Sequence, residues 1–154
     1  MTTKYESADL ILKLYELRRE PKMREARDWF ARFDPQSAQD VMNAVMGDAS
    51  ANIRMVVSYW DMAASLVNQG AIDADMFTDA NMEHVFVFSK IEPFVQELRR
   101  MIGSPNAWKN LEQLVMQMPD AKERMVSMRE RSKRMAQMRA EADARATHTE
   151  AANA

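Results

Sequence analysis

Three aspartates at 73, 75 and 79, two histidines and 15 methionines are the residues of this chain whose types and spacing could do chemistry. Asp73, Asp75 and Asp79 alternate as the oxygen ligands of a calcium loop do. Such a loop also needs oxygens at the intermediate places, a glycine for its turn and a bidentate carboxylate at its end. Here Phe77 and Thr78 hold the fifth and sixth places and His84 the twelfth. The aspartates therefore read as helix caps, whose side-chain oxygens accept the free N–H groups of a first turn. His84 follows Glu83, but neighbouring helical residues point in different directions and no second ligand stands four residues on. A hydrogen-bonded structural histidine is expected at 84, and His148 falls in a tail. The chain has no Glu-x-x-His, which a carboxylate-bridged di-iron bundle requires twice. With three glycines and no nucleophile-elbow serine, it also lacks the usual phosphate cradle and acyl-transfer nucleophile. A non-enzymatic protein with no cofactor and no metal is the expectation.

The stretch 120–146, DAKERMVSMRERSKRMAQMRAEADARA, is the other chemical feature. At 100° per residue Ala121, Met125, Met128, Met135, Met138 and Ala142 share an arc of roughly 140°, a usable apolar face. Lys122, Arg124, Arg129, Arg131, Lys133, Arg134 and Arg139 fill most of the remainder. The simplest reading packs this face on the chain's own body or on a symmetry mate. A partner-protein site at Met125, Met128, Arg131, Met135 and Met138 comes next, because thioethers adapt to varied surfaces and Arg favours interfaces. Membrane-surface or nucleic-acid contact lacks aromatic and leucine anchors. Copper(I) at Met125-x-x-Met128 and Met135-x-x-Met138 would sit among repelling cations. Met128, Met135 and Ala142 are seven apart, too short a heptad series for a coiled coil.

The elements that position these residues are helices. Leu10, Ile11, Leu14 and Leu17 predict a helix over about 5–19, and Pro21 suits the first position of the next, whose stripe is Met23, Ala26, Trp29, Phe30 and Phe33. Asp34-Pro35 and Ser104-Pro105 read as cap-plus-proline starts, and Asp79 as the cap of a helix reaching about Ile102, broken at Pro93. Ile53, Val56, Val57, Trp60, Ala63, Ala64 and Val67 hold a 3.6-residue rhythm that stops at Gly70, and a short element follows from Ile72 to Phe77. The run His84-Val85-Phe86-Val87-Phe88 is apolar almost all round, which predicts burial on more than one side. Arg54 and Asp61 lie one heptad apart; a solvated edge of the stripe is expected, with a polar pocket as the alternative. The resulting fold is all-α, six to seven helices in a compact bundle with a long C-terminal helix. Its parts are a bundle core over 1–119, the Met/Arg-rich helix over 120–146 and a frayed tail over 147–154.

Composition sets the frame. A chain of 154 residues fits one core. Net charge is −2, but 8 Lys/Arg against 6 Asp/Glu make 120–154 basic, while 13 against 17 make 1–119 acidic. That balance argues against nucleic acid as a partner. There are no cysteines and no continuous apolar leader or span, so a cytoplasmic protein is expected.

The segment IRMVVSYWDMAASLVNQGAIDADMF, residues 53–77, with its Tyr-Trp pair, Gly70, Ile72 and Asp73, resembles a bacterial family catalogued as domain of unknown function 4760. The resemblance implies a helical domain and no catalytic residues. It also implies an N-terminal membrane tether in many members, and this sequence shows no such segment. The leading functional expectation is a helical interaction or scaffold protein, self-associating through the C-terminal helix or an aromatic face near Trp29 and Trp60. The alternative is a small-ligand domain with a pocket among Tyr59, Trp60, Phe86, Phe88 and Phe94.

Overall fold

The structure is a computed structural model that describes the backbone of residues 2–152 and the side chains of residues 2–147. Its helices are α1 (Lys4–Leu17), α2 (Pro21–Arg32), α3 (Ala38–Met46), α4 (Ser50–Asn68), α5 (Ala74–Ala80), α6 (Glu83–Ile91), α7 (Val95–Ile102), α8 (Lys109–Met116) and α9 (Ala121–Ala152). A 3-10 turn, Glu92–Phe94, joins α6 to α7 around Pro93, so the two form one broken rod. Counted that way there are eight helices among the described residues, against the six to seven expected, and no strand. The addition is α5. Asp73 Oδ1 accepts the Met76 N–H at 2.8 Å, and that cap converts the short Ile72–Phe77 element into a helix of its own.

Helix α4 is the axis of the bundle. It packs on α2 and α8 and also meets α3, α5 and α6. Every residue of its expected stripe, from Ile53 to Val67, is buried. Ala63 and Ala64 keep that face narrow. Met23, Ala26 and Phe30 of α2 and Leu111, Leu114 and Val115 of α8 complete the core. Each large side chain among them contributes roughly 1.5–3 kcal/mol by leaving water. The stop at Gly70 is a left-handed one, φ 74°, where the Gly70 N–H reaches Val67 O and the Ala71 N–H reaches Leu66 O.

Three starts differ from their sequence signals. Asp34-Pro35 stays outside α3, because Ser37 takes the cap and Asp40 Oδ2 accepts the Gln36 N–H. Ser104-Pro105 opens a turn rather than a helix; α8 begins only at Lys109, after Trp108 adopts a φ of 57°. Asp79 lies in the last turn of α5, and Met82 precedes α6 without a side-chain cap.

Helix α1 begins in a capping box between Thr3 and Glu6. It buries Ser7 and Leu14 only; Leu10 and Ile11 are half-buried, while Tyr5, Leu12, Tyr15 and Leu17 face solvent. Its apolar stripe is therefore narrower than the sequence suggested, and Leu17 is not part of it. In α6 the burial is all round, as its composition predicted, and it takes in His84, Ser89 and Lys90.

Helix α9 holds 32 residues, about 48 Å at ~1.5 Å per residue. Its first turns dock on α6 and α8, with Ala121 and Met125 buried and Arg129 Nη1 donating to Ser89 O at 2.8 Å. From Lys133 to Thr147 every residue is exposed. The helix was expected to end at 146, but its backbone continues through Thr147 to Ala152; the side chains from His148 onward lie outside the described residues. No helix among the described residues is long and apolar enough to cross a membrane.

Candidate functional site

Two of the hollows on this fold lie against residues that the sequence singled out, and several polar groups are buried or half-buried beside them. One is a groove of about 620 Å³ between α9, the end of α2 and the start of α6. Met82, Phe86, Met128 and Met135 form its apolar floor, with Arg32, Arg131, Arg139 and Asp143 around it. Of the methionines and arginine expected to bind a partner, Met128, Arg131 and Met135 line this groove. Met138 stands outside it, 62% exposed, and Met125 is at 0%, sealed in the core. Met125 is thus a packing residue, because its position on α9 falls where that helix crosses α6 and α8.

The smaller concavity, about 260 Å³, lies under α1. Tyr15, Arg18, Tyr59, Trp60, Phe77 and Asn81 are among its walls. Tyr59 and Trp60 of the expected ligand pocket are here, but the phenylalanines are elsewhere. Phe86 lines the α9 groove, Phe88 is fully buried, and Phe94 borders a third hollow near Lys90. The five residues do not converge, since α6 presents Phe86 and Phe88 to different neighbours. Trp60 is 1% exposed, so it offers no outer aromatic face; Trp29 is half-buried and stacked on Phe33 at 4.8 Å.

Polar groups inside this core are the least expected part of the molecule. Glu83 accepts two bonds from Arg27, at 2.7 and 2.6 Å, and one from Arg18 at 3.2 Å, tying α1, α2 and α6 together. The Arg18 guanidinium also lies 5.2 Å from the Tyr15 ring centre and 5.4 Å from that of Trp60. Tyr59 donates its hydroxyl to Leu14 O, and burial pushes its pKa up to about 12.

Lys90 inserts its ammonium under the end of α2, donating to the carbonyls of Phe30, Ala31 and Phe33. These are carbonyls that a helix C-terminus leaves unpaired, and a cation there also suits the helix dipole. Burial nonetheless lowers the Lys90 pKa to about 8. With its hydrogens directed at three carbonyls, the amine is a cap rather than a nucleophile. Lys90 sits in an otherwise apolar run, and no sequence signal separates it from a solvated lysine.

His84 Nδ1 lies 3.3 Å from Asn81 Oδ1. Asn81 Nδ2 donates to Phe77 O, which leaves Oδ1 as the acceptor and places the imidazole proton on Nδ1. Burial lowers the His84 pKa to about 4, so the ring is neutral near pH 7. Its Nε2 and the Trp60 Nε1–H have no protein partner.

Asp61, expected at a solvated edge, is half-buried. Its Oδ1 accepts the Leu111 N–H at 2.9 Å and its Oδ2 accepts from Asn110 Nδ2 at 3.1 Å. Arg54 is exposed and does not meet it. Of the three aspartates Asp73 caps α5, Asp75 lies in its first turn and Asp79 in its last, where it caps no helix; no three His, Asp or Glu side chains that could hold a metal converge among the described residues.

Fold and geometry together define an all-helical domain with an open groove at a projecting helix and a small aromatic cavity under its first helix. The chain belongs to the family described as domain of unknown function 4760, whose model matches residues 5–118. The match ends just before α9 begins at Ala121. No curated protein and no solved structure gives a significant match.

Proposed function

We propose that this protein is a non-enzymatic, cytoplasmic interaction protein that self-associates through α9. The observation that carries the reading is the exposure of α9 from Lys133 to Thr147, with Met135 and Met138 46% and 62% exposed beside an apolar groove. The occupant is α9 of a second copy, laid antiparallel. Charge supports it: Arg129, Arg131, Lys133, Arg134 and Arg139, interrupted by Glu130, precede Glu141 and Asp143 along the helix, although Arg145 follows them and pairs with Glu141. An antiparallel pair sets the basic stretch of each copy beside the acidic stretch of the other. The arrangement is also self-complementary, so it closes as a two-fold dimer. Met135 and Met138 would then face Ala142 and Ala146 of the partner copy, which share their helix face and are small enough to let two helices approach.

Sedimentation velocity on the full chain tests this. A dimer at tens of micromolar is expected, converting to monomer in the double variant Met135→Glu, Met138→Glu. Both positions are exposed in the single chain, so the variant keeps its fold. A full chain that sediments as a monomer at every concentration, or a double variant that still dimerises, overturns the proposal.

A further inference from the structure

The cavity under α1 has a chemistry that the proposed self-association does not use. Its walls are rings and aliphatic groups: Leu14, Tyr15, Tyr59, Trp60 and Phe77. A space of about 260 Å³ lies just below the range of ordinary small-molecule pockets, ~300–1,000 Å³, so it suits a single ring with a short substituent. One polar group distinguishes it from an empty apolar void. Trp60 contributes ring surface to the wall, while its indole N–H is buried away from the cavity.

Arg18 is that polar group. Glu83 is already engaged at both oxygens by Arg27, and Arg18 adds one bond to it at 3.2 Å. The remaining Arg18 N–H groups have no protein acceptor among the described residues, although the guanidinium lines the cavity. Two guanidinium groups thus share one carboxylate, and the one facing the cavity has donors to spare. A planar guanidinium beside aromatic faces binds a carboxylate through paired N–H donors.

We infer that the cavity under α1 is a binding site for a small aromatic carboxylate, with its ring among Tyr59, Trp60 and Phe77 and its anionic end at Arg18. The carboxylate oxygens meet the spare Arg18 donors, and the ring fills the apolar volume. Binding is reversible and involves no covalent step.

Titration of the full chain with benzoate, followed through the Trp60 indole N–H proton resonance, tests the inference, with benzamide as the neutral counterpart. Trp60→Phe assigns that resonance. Benzoate is expected to shift it saturably and to bind more tightly than benzamide. Arg18→Gln should weaken benzoate roughly tenfold, the loss of a charge-assisted contact, while leaving benzamide unchanged. Ala80→Trp, at an exposed position on the cavity rim, should block both probes while the thermal midpoint holds. No saturable shift with benzoate means that the cavity holds only water, and the inference fails. Equal affinity for the two probes, untouched by Arg18→Gln, also overturns it.

Discussion

Asp61 and Leu111 are joined across the core: a carboxylate oxygen in the middle of α4 accepts the backbone N–H in the first turn of α8 at 2.9 Å. Trp108, the residue at the cap position of α8, offers no side-chain acceptor and holds a left-handed backbone. The cap is therefore borrowed from another helix, and it fixes α8 against α4 as well as satisfying the turn. Asp61→Ala should lower stability by about 1–2 kcal/mol, the worth of a strong N-cap. Asp61→Asn keeps an acceptor and should lose less. Urea denaturation of the three proteins checks the order.

Lys90 binds the end of α2 in the same borrowed manner, from α6. Lys90→Met keeps about the same side-chain length but removes the ammonium, with its three donated bonds and its cation–π contacts to Phe30 and Phe86. Carbonyls at the buried end of α2 then lose their partner, and a loss of about 1–3 kcal/mol is expected in the same urea assay. A variant as stable as the parent would show that water replaces the ammonium there.

Stability should also depend on pH through His84. Burial holds its folded pKa at about 4, below the ordinary value of 6.5. Between those limits the unfolded chain binds a proton that the folded chain refuses, so stability falls as pH falls through the window. The full effect is on the order of 3 kcal/mol, complete near pH 4 and absent above 6.5. Denaturation midpoints measured from pH 7 to 4 should decline in the parent, and the slope should flatten in His84→Gln.

Much of this was legible in the residues and some was not. The α4 stripe buried every residue its rhythm named, because seven apolar side chains at helical spacing leave only one face for the core. Pro21 and Gly70 marked their boundaries through backbone constraints that tertiary context does not change. Asp34-Pro35 and Ser104-Pro105 failed for a common reason. Each is a local signal that a longer-range or neighbouring contact outbid: Ser37 with Asp40 in one case, and Arg99, which donates to Ala107 O and Glu112, in the other. Asp61 was expected at a solvated edge and Lys90 drew no reading, because their partners include backbone groups of distant helices. Arg18 at the cavity was missed likewise: its aromatic neighbours Tyr15 and Trp60 lie on different helices, and no spacing brings them together.

The methionines of α9 should divide sharply by position. Met125→Ala should cost about 2–5 kcal/mol, the range for emptying a buried site, while Met138→Ala should stay within about 0.5 kcal/mol in the single chain. The contrast also says where to shorten the protein. A cut after Pro119 removes the core side chain of Met125, whereas a cut after Arg134 removes, among the described residues, only exposed ones. Thermal midpoints of the two point variants distinguish the halves.

Helix α1 shields the small cavity, yet its attachments are mainly polar. The Tyr59 hydroxyl holds Leu14 O, Ser7 Oγ accepts the Asp73 N–H, Thr2 reaches Gly70 O, and Arg18 reaches Glu83. Four large apolar side chains on it remain in solvent. Water can replace hydrogen bonds at small net loss, but it cannot replace buried hydrocarbon. Swinging α1 aside would therefore leave α2, α4, α6 and α8 packed as they are. The wall over the cavity is a shutter, and the bundle behind it is the frame.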